Sequence, residues 1–208
     1  MENIVRTIIF GCGGHARSVA NILYENNKDI EILFVDDNAQ KDEKILGYQV
    51  KSRYDLRNDD NYIVALGDNV KRQKIFDYLF KQRTGNCISV ISKSSNIGID
   101  SKIGKGTFIA ANTYLGPQAK IKNNSIINTG SIIEHEVIIG NHTHIAPHTT
   151  ICGRSVIGNY VMCGAGSTII DKVKICDYVV IGAGAVVTDD ITKPGIYVGI
   201  PARKIKEV

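Results

Sequence analysis

Histidines crowd into one short stretch of the chain. Four of the five lie between residues 135 and 148, and the first of them, His135, is followed directly by Glu136. An imidazole titrates near neutral pH, so it can take a proton from an amine or a hydroxyl that attacks a thioester. A neighbouring carboxylate can hold the ring in one tautomer and raise its basicity. The pair predicts His135 as a general base that Glu136 supports.

The other histidines of this stretch raise the alternative of a metal site. His142, His144 and His148 are close in sequence, but turns are expected between them, so they need not converge on one ion. The five cysteines of the chain have no zinc-type spacing. We therefore expect no metal, and thiols that stay reduced.

A glycine turn near the start of the chain forms a second group of residues suited to binding. Gly11, Gly13 and Ala16 follow an apolar run and open a helical pattern, and acids at Asp36 and Asp37 lie just over 20 residues beyond. This arrangement is typical of NAD sites. The same turn at a helix N-terminus binds phosphates in general, and an acid at a strand end can accept from a ribose or a base. A nucleotide-linked substrate fits as well as a dinucleotide.

Apolar residues recur every six positions through the C-terminal half. Stepping by six from Ile97 to Val187 gives sixteen residues, of which thirteen are isoleucine and none is polar. A helix would scatter these positions around its axis, whereas a parallel β-helix uses each hexad as one short strand and one turn. Three hexads make one triangular coil, and coils stack about 4.8 Å apart. We expect these residues to point inward as a continuous core.

No insertion breaks this register, so no long loop is expected to leave the coils. A site on this part of the chain must then be built from coil side chains and a neighbouring subunit. Residues 1–90 lack the hexad and instead alternate strands, at 7–10, 30–35, 62–66 and 87–91, with helices at 17–26 and 70–82. This order predicts a small, Rossmann-like α/β domain with a parallel sheet over 1–90, followed by the β-helix and a C-terminal tail over 91–208.

The charge and the apolar runs of the chain argue against some classes of function. The net charge of +4 is scattered along the chain, which argues against a nucleic-acid partner. The longest apolar run, 179–187, is about half of what a membrane-spanning helix needs. No signal peptide is visible, so we expect a soluble, cytoplasmic enzyme with no membrane partner.

Five segments carry a resemblance to a known family. They are IIFGCGGHA at 8–16, FVDD at 34–37, ALGDN at 65–69, IEHEVIIG at 133–140 and YVGIPAR at 197–203. In order and spacing the chain resembles the bacterial sugar O-/N-acyltransferases with a left-handed β-helix of hexapeptide repeats. Within them it is similar to the N-acetyltransferases of nucleotide-linked 4-amino-4,6-dideoxy sugars, of the bacillosamine and perosamine type, and to the related sialic-acid O-acetyltransferases.

The resemblance implies a role for each matching residue. His135 corresponds to the catalytic base and Glu136 to its supporting carboxylate. The acceptor would be bound at residues of the N-terminal turn and strand ends and at one asparagine of the β-helix: Gly13, Gly14, His15, Asp36, Asp37, Gly67 and Asn128. Acetyl-CoA, the co-substrate, would be bound at His144, Gly153, Ala165 and Ala183. The turn departs from its relatives, since Cys12 and Gly13 stand where alanine and serine are common.

The resemblance further implies a homotrimer with its site between subunits and direct transfer from acetyl-CoA in surface-glycan biosynthesis. UDP and dTDP remain open as the sugar's carrier. Three alternatives also remain open: an O-acetyltransferase of sialic acid or another sugar hydroxyl, a dehydrogenase that uses the glycine turn for NAD, and a non-enzymatic or zinc-bearing β-helix. A covalent acetyl-enzyme is not expected, because Cys163 occupies an inward position of the hexads and Cys152 has no histidine partner that the sequence can identify.

Overall fold

The computed structural model describes residues 6–207, which form a parallel α/β sheet followed by a β-helix. The sheet has strand order β3-β4-β2-β1-β5-β6, and all its neighbours pair parallel except β3 and β4. Its strands are β1 Arg6–Phe10, β2 Glu31–Val35, β3 Lys44–Ile45, β4 Tyr48–Lys51, β5 Asn61–Val64 and β6 Asn86–Cys87. Two helices, α1 Gly14–Asn26 and α2 Asn69–Gln82, complete the domain.

The two helices cover opposite faces of this sheet. The side chains of Ile9, Phe34 and Ile63 pack with α1, whereas the alternate residues Phe10 and Val64 pack with α2. Burial on both faces explains why β1, β2 and β5 are near-continuous apolar runs. The predicted parallel α/β sheet is confirmed, and the carboxyl ends of β1, β2 and β5 meet at one edge.

The rest of the chain winds as a left-handed parallel β-helix, as predicted. Its strands stack in three faces, and each strand pairs with the one 18 residues further on. The first face has β7 Val90–Ile91, β10 Phe108–Ile109, β13 Ile126–Ile127, β16 His144–Ile145, β19 Met162–Cys163 and β22 Val179–Ile181. The second has β8 Asn96–Ile97, β11 Tyr114–Leu115, β14 Ile132–Ile133, β17 Thr150–Ile151, β20 Thr168–Ile169 and β23 Val186–Val187. The third has β9 Lys102–Ile103, β12 Lys120–Ile121, β15 Ile138–Ile139, β18 Val156–Ile157 and β21 Lys174–Ile175.

The corners of the β-helix repeat as strictly as its strands. Fifteen consecutive corner residues, spaced by six from Asp100 to Gly184, have φ between 54° and 68°. One residue in the left-handed region at each corner turns the chain sharply enough to start the next short strand. Serines and threonines just after these residues donate to the carbonyl fifteen positions on, as Ser125 does to Gly140 at 2.8 Å and Ser155 to Ile170 at 2.8 Å. These bonds satisfy carbonyls inside the corners.

The inward residues of the hexads form one buried column, as predicted. Two of them depart from the prediction, because Ile103 is only partly buried and Ile97 is 38% exposed. Ile97 lies on β8, the first strand of its face, so no preceding coil covers it. The stacking also begins one hexad earlier than predicted, since Val90–Ile91 pairs with Phe108–Ile109.

Three further differences concern the N-terminal domain. The strand predicted at 87–91 is two strands, β6 in the sheet and β7 in the β-helix, and on this pairing we propose a domain boundary near residue 90. The first helix begins at Gly14 rather than at Arg17, since the last glycine of the turn already belongs to it. The hairpin of β3 and β4 was not predicted, because its strands are short and only half apolar.

The N-terminal domain is mounted on the first face of the β-helix. Phe108 and Ile126, which point outward from that face, are buried in the same cluster as α1. At the far end, β24 Gly195–Val198 extends the first face and β25 Arg203–Lys206 pairs with it antiparallel. Within residues 6–207 no helix is long and apolar enough to span a bilayer.

Candidate active site

The glycine turn after β1 contains two kinds of glycine. Gly11 has φ of +111°, and a Cβ there would lie 2.8 Å from Leu66 Cδ2, so its backbone and packing both require glycine. Gly13 and Gly14 have ordinary φ, and nothing lies within 4 Å of a Cβ built on either. The chain's own fold leaves the space beside them open, which suits the close approach of a ligand to the backbone.

The start of α1 beside these glycines is uncapped. Gly13 is the N-cap residue, no side chain accepts from the first turn, and that turn contains no acid. By contrast, Asp68 caps α2 and accepts from the amide of Lys71 at 2.8 Å. The first amides of α1 are therefore free to bind an anion, and the helix dipole favours negative charge there.

Asp36 lies next to this turn, as the sequence predicted for the end of the second strand. Its Oδ2 accepts from the amide of Cys12 at 3.2 Å, and its Oδ1 accepts from the amide of Asn38 at 3.1 Å. Partial burial acts to raise the pKa of Asp36, but the bonds from Asn38 and Cys12 outweigh it and hold that pKa below its ordinary value. The site thus presents a fixed carboxylate as an acceptor, and Asp37 follows it on the exposed surface.

His144 lies on the first face, beneath the loop that follows β5. Its Nδ1 is 3.4 Å from the carbonyl oxygen of Gly67, and its Nε2 is 3.4 Å from Asn128 Nδ2. Asn128 Oδ1 accepts from the amide of Thr129 at 2.9 Å, which fixes the amide with its nitrogen towards His144. These long contacts favour the neutral tautomer that donates from Nδ1, because Nε2 can then accept. Burial, with a smaller effect of the Arg72 charge, lowers the pKa of His144 to about 4.

His15 lies in the first turn of α1 and faces the same interface. Its ring meets that of Phe108 edge-on at 4.9 Å, and its Nε2 is buried with no hydrogen-bond partner in the described chain. Burial lowers the pKa of His15 to about 3, with smaller contributions from His144 and Arg72. Both histidines of this interface are therefore neutral at physiological pH.

His135 and Glu136 lie elsewhere, at the corner between the second and third faces. Nδ1 of His135 is 3.1 Å from Glu136 Oε2, and both side chains are about half exposed. Since a carboxylate only accepts, Nδ1 of the neutral ring must be the donor, which leaves the lone pair on Nε2. Glu136 occupies the left-handed position of this corner, with φ of 60°, and this places its side chain beside the ring.

Gly153 occupies the same corner one coil later. A Cβ at this position would lie 2.5 Å from Nε2 of His135. Glycine is therefore required for the imidazole to lie over the next coil, and Nε2 has no hydrogen-bond partner within residues 6–207. The predicted base, its carboxylate and one predicted cofactor residue are thus brought together.

The remaining predicted cofactor residues are not brought to this corner. Ala165 and Ala183, like Asn128, lie at the corner between the first and second faces, and the whole second face separates them from His135. The predicted site residues of one chain therefore form two separate groups, which we call half-sites: the acceptor side, with Asn128, His144 and the glycine turn, where most of the predicted acceptor-binding residues lie, and the corner with His135.

Arg72 was not predicted from the sequence. It is 1% exposed and lies between the acceptor side and the β-helix. The signal that could have found it is its place on the buried stripe of α2, at helical spacing from Phe76 and Leu79. No set of three or more His, Cys, Asp or Glu within residues 6–207 is arranged to hold a metal ion.

Two family models match the chain. Residues 6–79 match the PglD N-terminal domain, and residues between 100 and 189 match the bacterial transferase hexapeptide repeats. The chain joins a PglD-type domain to a hexapeptide-repeat β-helix. Together the two matches confirm the predicted resemblance over most of its length.

Solved structures share the whole architecture of the PglD-type domain and its β-helix. The acetyltransferase domain of PglB from Neisseria gonorrhoeae is 24% identical, with a TM-score of 0.89 over 96% of this chain and 99% of that one. A mutant GDP-perosamine N-acetyltransferase from Caulobacter crescentus is 24% identical, with a TM-score of 0.88 over 98% of each chain. WeeI from Acinetobacter baumannii is 19% identical, with a TM-score of 0.69 over 97% of this chain and all of that one. No curated protein sequence matches significantly.

The two partly buried histidines, His15 and His144, predict how stability depends on pH. Their folded-state pKa values, about 3 for His15 and about 4 for His144, lie below the ordinary value of 6.5. The unfolded chain therefore binds protons more readily below pH 6.5, so stability is complete above that pH and falls as the pH falls towards 4. We expect His144→Gln to reduce the loss by about 1 kcal/mol for each pH unit below 6.

The measurement is the free energy of unfolding in urea at several pH values between 7 and 5. His148→Gln is the matched control, because His148 is exposed at a corner. An equal reduction in the two variants would show that His144 is not responsible for the pH dependence.

Proposed function

We propose that the protein is an acetyl-CoA-dependent N-acetyltransferase that acts on the 4-amino group of a nucleotide-linked 4-amino-4,6-dideoxy sugar. The observation that carries the proposal is the His135–Glu136 pair, which lies over Gly153 and engages Glu136 through Nδ1, so that Nε2 keeps its lone pair. It occurs in a chain that couples hexapeptide repeats to a PglD-type domain with an open, uncapped glycine turn.

The ligands of the similar structures support this assignment. The PglB acetyltransferase domain has been solved in complex with acetyl coenzyme A, and the GDP-perosamine N-acetyltransferase in complex with CoA and GDP-perosamine. Both structures cover nearly the whole of this chain, so both domains of the architecture have a counterpart in them. Since both substrates are cytoplasmic metabolites, we propose that the reaction takes place in the cytoplasm.

On the acceptor side, the diphosphate would lie over Gly13 and Gly14, where amides at the start of α1 can donate to it. The Asp36 carboxylate would accept from a base or ribose group, with Asp37 beside it. His15 and Gly67 line the path from this turn to His144. This arrangement directs the sugar towards the β-helix.

In the reaction, the sugar amine attacks the thioester carbonyl carbon and forms a C–N bond. Nε2 of His135 takes the amine proton, while Glu136 stabilises the imidazolium through Nδ1–H. The tetrahedral intermediate then collapses with cleavage of the C–S bond, and the proton returns to the CoA thiolate. Burial, with Glu134 and Asp171 nearby, raises the pKa of Cys152, which supports direct transfer rather than an acetyl-cysteine.

The two half-sites of one chain suit a homotrimer with shared sites. In our proposal, the corner with Asn128, Ala165 and Ala183 of one copy faces the corner with His135 and Gly153 of the next. Acetyl-CoA would lie in the groove between them. His144, in contact with Asn128 and Gly67, would lie where this groove meets the acceptor side.

The function is tested by thiol release from acetyl-CoA with UDP-, dTDP- and GDP-linked 4-amino-4,6-dideoxy sugars and with a sialic acid. We expect release with one amino sugar, and a loss of about 10²–10⁴ in turnover in His135→Ala, because the general base is removed. Release with the sialic acid alone would replace the proposal with O-acetylation. Unchanged turnover in His135→Ala would remove His135 from the mechanism.

Gly153→Ala tests the placement of the base. The added methyl group must displace the imidazole, so we expect kcat to fall about 10- to 100-fold while the fold is kept. Cys152→Ala, one position earlier, is the matched control and should keep full activity. If Gly153→Ala were fully active, His135 would not need the position that the structure gives it.

Mixed oligomers test the sharing of sites. Gly13→Glu would put a carboxylate where the diphosphate is expected, and His135→Ala removes the base, so each variant alone should be inactive. If every site of the trimer draws on two copies, each mixed trimer has one site of three with both groups intact, so it should recover up to about a third of wild-type activity. The measurement uses two affinity tags to isolate mixed oligomers. Their inactivity would place both groups in one chain.

A further inference from the structure

Arg72 is a charged side chain buried between the two domains. It is 1% exposed, and no carboxylate of residues 6–207 lies within ion-pair distance of its guanidinium. Burial lowers the pKa of Arg72 to about 10, so it remains protonated at neutral pH. A buried charge without a counter-ion costs free energy unless its hydrogen bonds are complete.

The hydrogen bonds of Arg72 are complete. A guanidinium has five N–H groups, and each of them has an acceptor here. Nε donates to the carbonyl of Asn124 at 3.0 Å, and one terminal nitrogen donates to those of Leu66 at 2.9 Å and Gly67 at 3.2 Å. The other donates to Asn69 Oδ1 at 2.8 Å and to the carbonyl of His142 at 2.9 Å.

These acceptors belong to two different parts of the molecule. Leu66 and Gly67 lie in the loop at the carboxyl edge of the sheet and Asn69 begins α2, whereas Asn124 and His142 are corner residues of consecutive coils. Gly67 is also the residue whose carbonyl faces His144. Arg72 therefore links the loop of the acceptor side to the β-helix through hydrogen bonds, at one position along the axis of the β-helix.

Helix α2 packs along the corner of the β-helix to which Asn124 and His142 belong. Asn69 Nδ2 donates to the carbonyls of Tyr160 and Val161 at 3.2 and 3.1 Å, one coil beyond His142. At the other end of the contact, Phe76 packs so closely on Gly106 that a Cβ there would lie 2.6 Å from its ring. One helical turn rises about 5.4 Å and one coil about 4.8 Å, so successive turns of α2 meet successive coils.

We propose that Arg72 is a positioning residue for acetyl transfer, and that it fixes the Gly67 loop, and with it the acceptor sugar, at a set height on the β-helix. This inference rests on the proposed function. The contacts of Phe108 and Ile126 in this interface are apolar and do not specify one position along the helix axis. Two of the five bonds of Arg72 do specify it, because they go to carbonyls on consecutive coils.

The test compares Arg72→Met and Arg72→Lys with the wild type. Lys74→Met, an exposed neighbour on α2, is the matched control for loss of a positive charge. The first readout is independent of activity: calorimetry, with hydrogen exchange of the amides from Gly67 to Phe76. We expect Arg72→Met to lower the unfolding temperature by about 5–10 °C, to unfold in two transitions and to exchange faster in this segment.

The second readout compares the kinetic parameters for the amino sugar with those for acetyl-CoA. We expect kcat/KM for the amino sugar to fall about 10- to 100-fold in Arg72→Met, because a small displacement of the amine is costly. KM for acetyl-CoA should stay within about twofold, since Arg72 contacts neither corner of the proposed groove. Arg72→Lys should recover part of the loss, because an ammonium keeps the charge but offers only three donors.

The outcomes separate the inference from the proposed function. If both substrates were affected equally, or neither, the positioning role would be overturned whatever the calorimetry showed. If Arg72→Met unfolded in a single transition at the wild-type temperature, with slow amide exchange from Gly67 to Phe76, Arg72 would not link the two domains. If the wild type transferred no acetyl group, the proposed function would fail, and with it the role in catalysis. The calorimetric result would still decide whether Arg72 joins the domains.

Discussion

The left-handed residue at every corner of the β-helix is the constraint on which the rest of the molecule depends. From Asp100 to Gly184 it recurs without a break, and with it the inward column of aliphatic side chains. Non-glycine residues adopt this conformation at a free-energy cost, which the stacked strands and buried isoleucines offset. Because the constraint holds at every corner, each residue's place on a face or a corner follows from its number alone.

This regularity explains how the chain builds chemistry without a long loop. His135 projects from a corner because it comes one residue before a left-handed position, and Glu136 occupies that position. Gly153 lies under the ring because it is one coil further on. Residues at a different corner cannot join them within the chain, which is the physical basis for proposing that the site is shared between copies.

Much of the fold could be predicted from the sequence, since the period of six has one structural solution and the apolar runs of the N-terminal domain are long. The hexad begins one step earlier than predicted because Val90–Ile91 reads equally well as the end of an α/β strand. Ile97 could not be distinguished from the other inward residues, because its exposure depends on a missing neighbour rather than on its own hexad. The hydrogen bonds of Arg72 could not be predicted either, because four of its five acceptors are backbone carbonyls that leave no mark in the sequence.

The unbroken stacking of coils also limits how this architecture can change. An insertion or deletion between Val90 and Val187 that is not a multiple of 18 residues would move every later side chain to another face or corner. Whole coils can be added or lost, and each shifts the later residues by about 4.8 Å along the axis. The distance along the axis between the N-terminal domain and a given corner can therefore change only in steps of one coil. Adjustments finer than one coil are left to the side chains where α2 meets the β-helix.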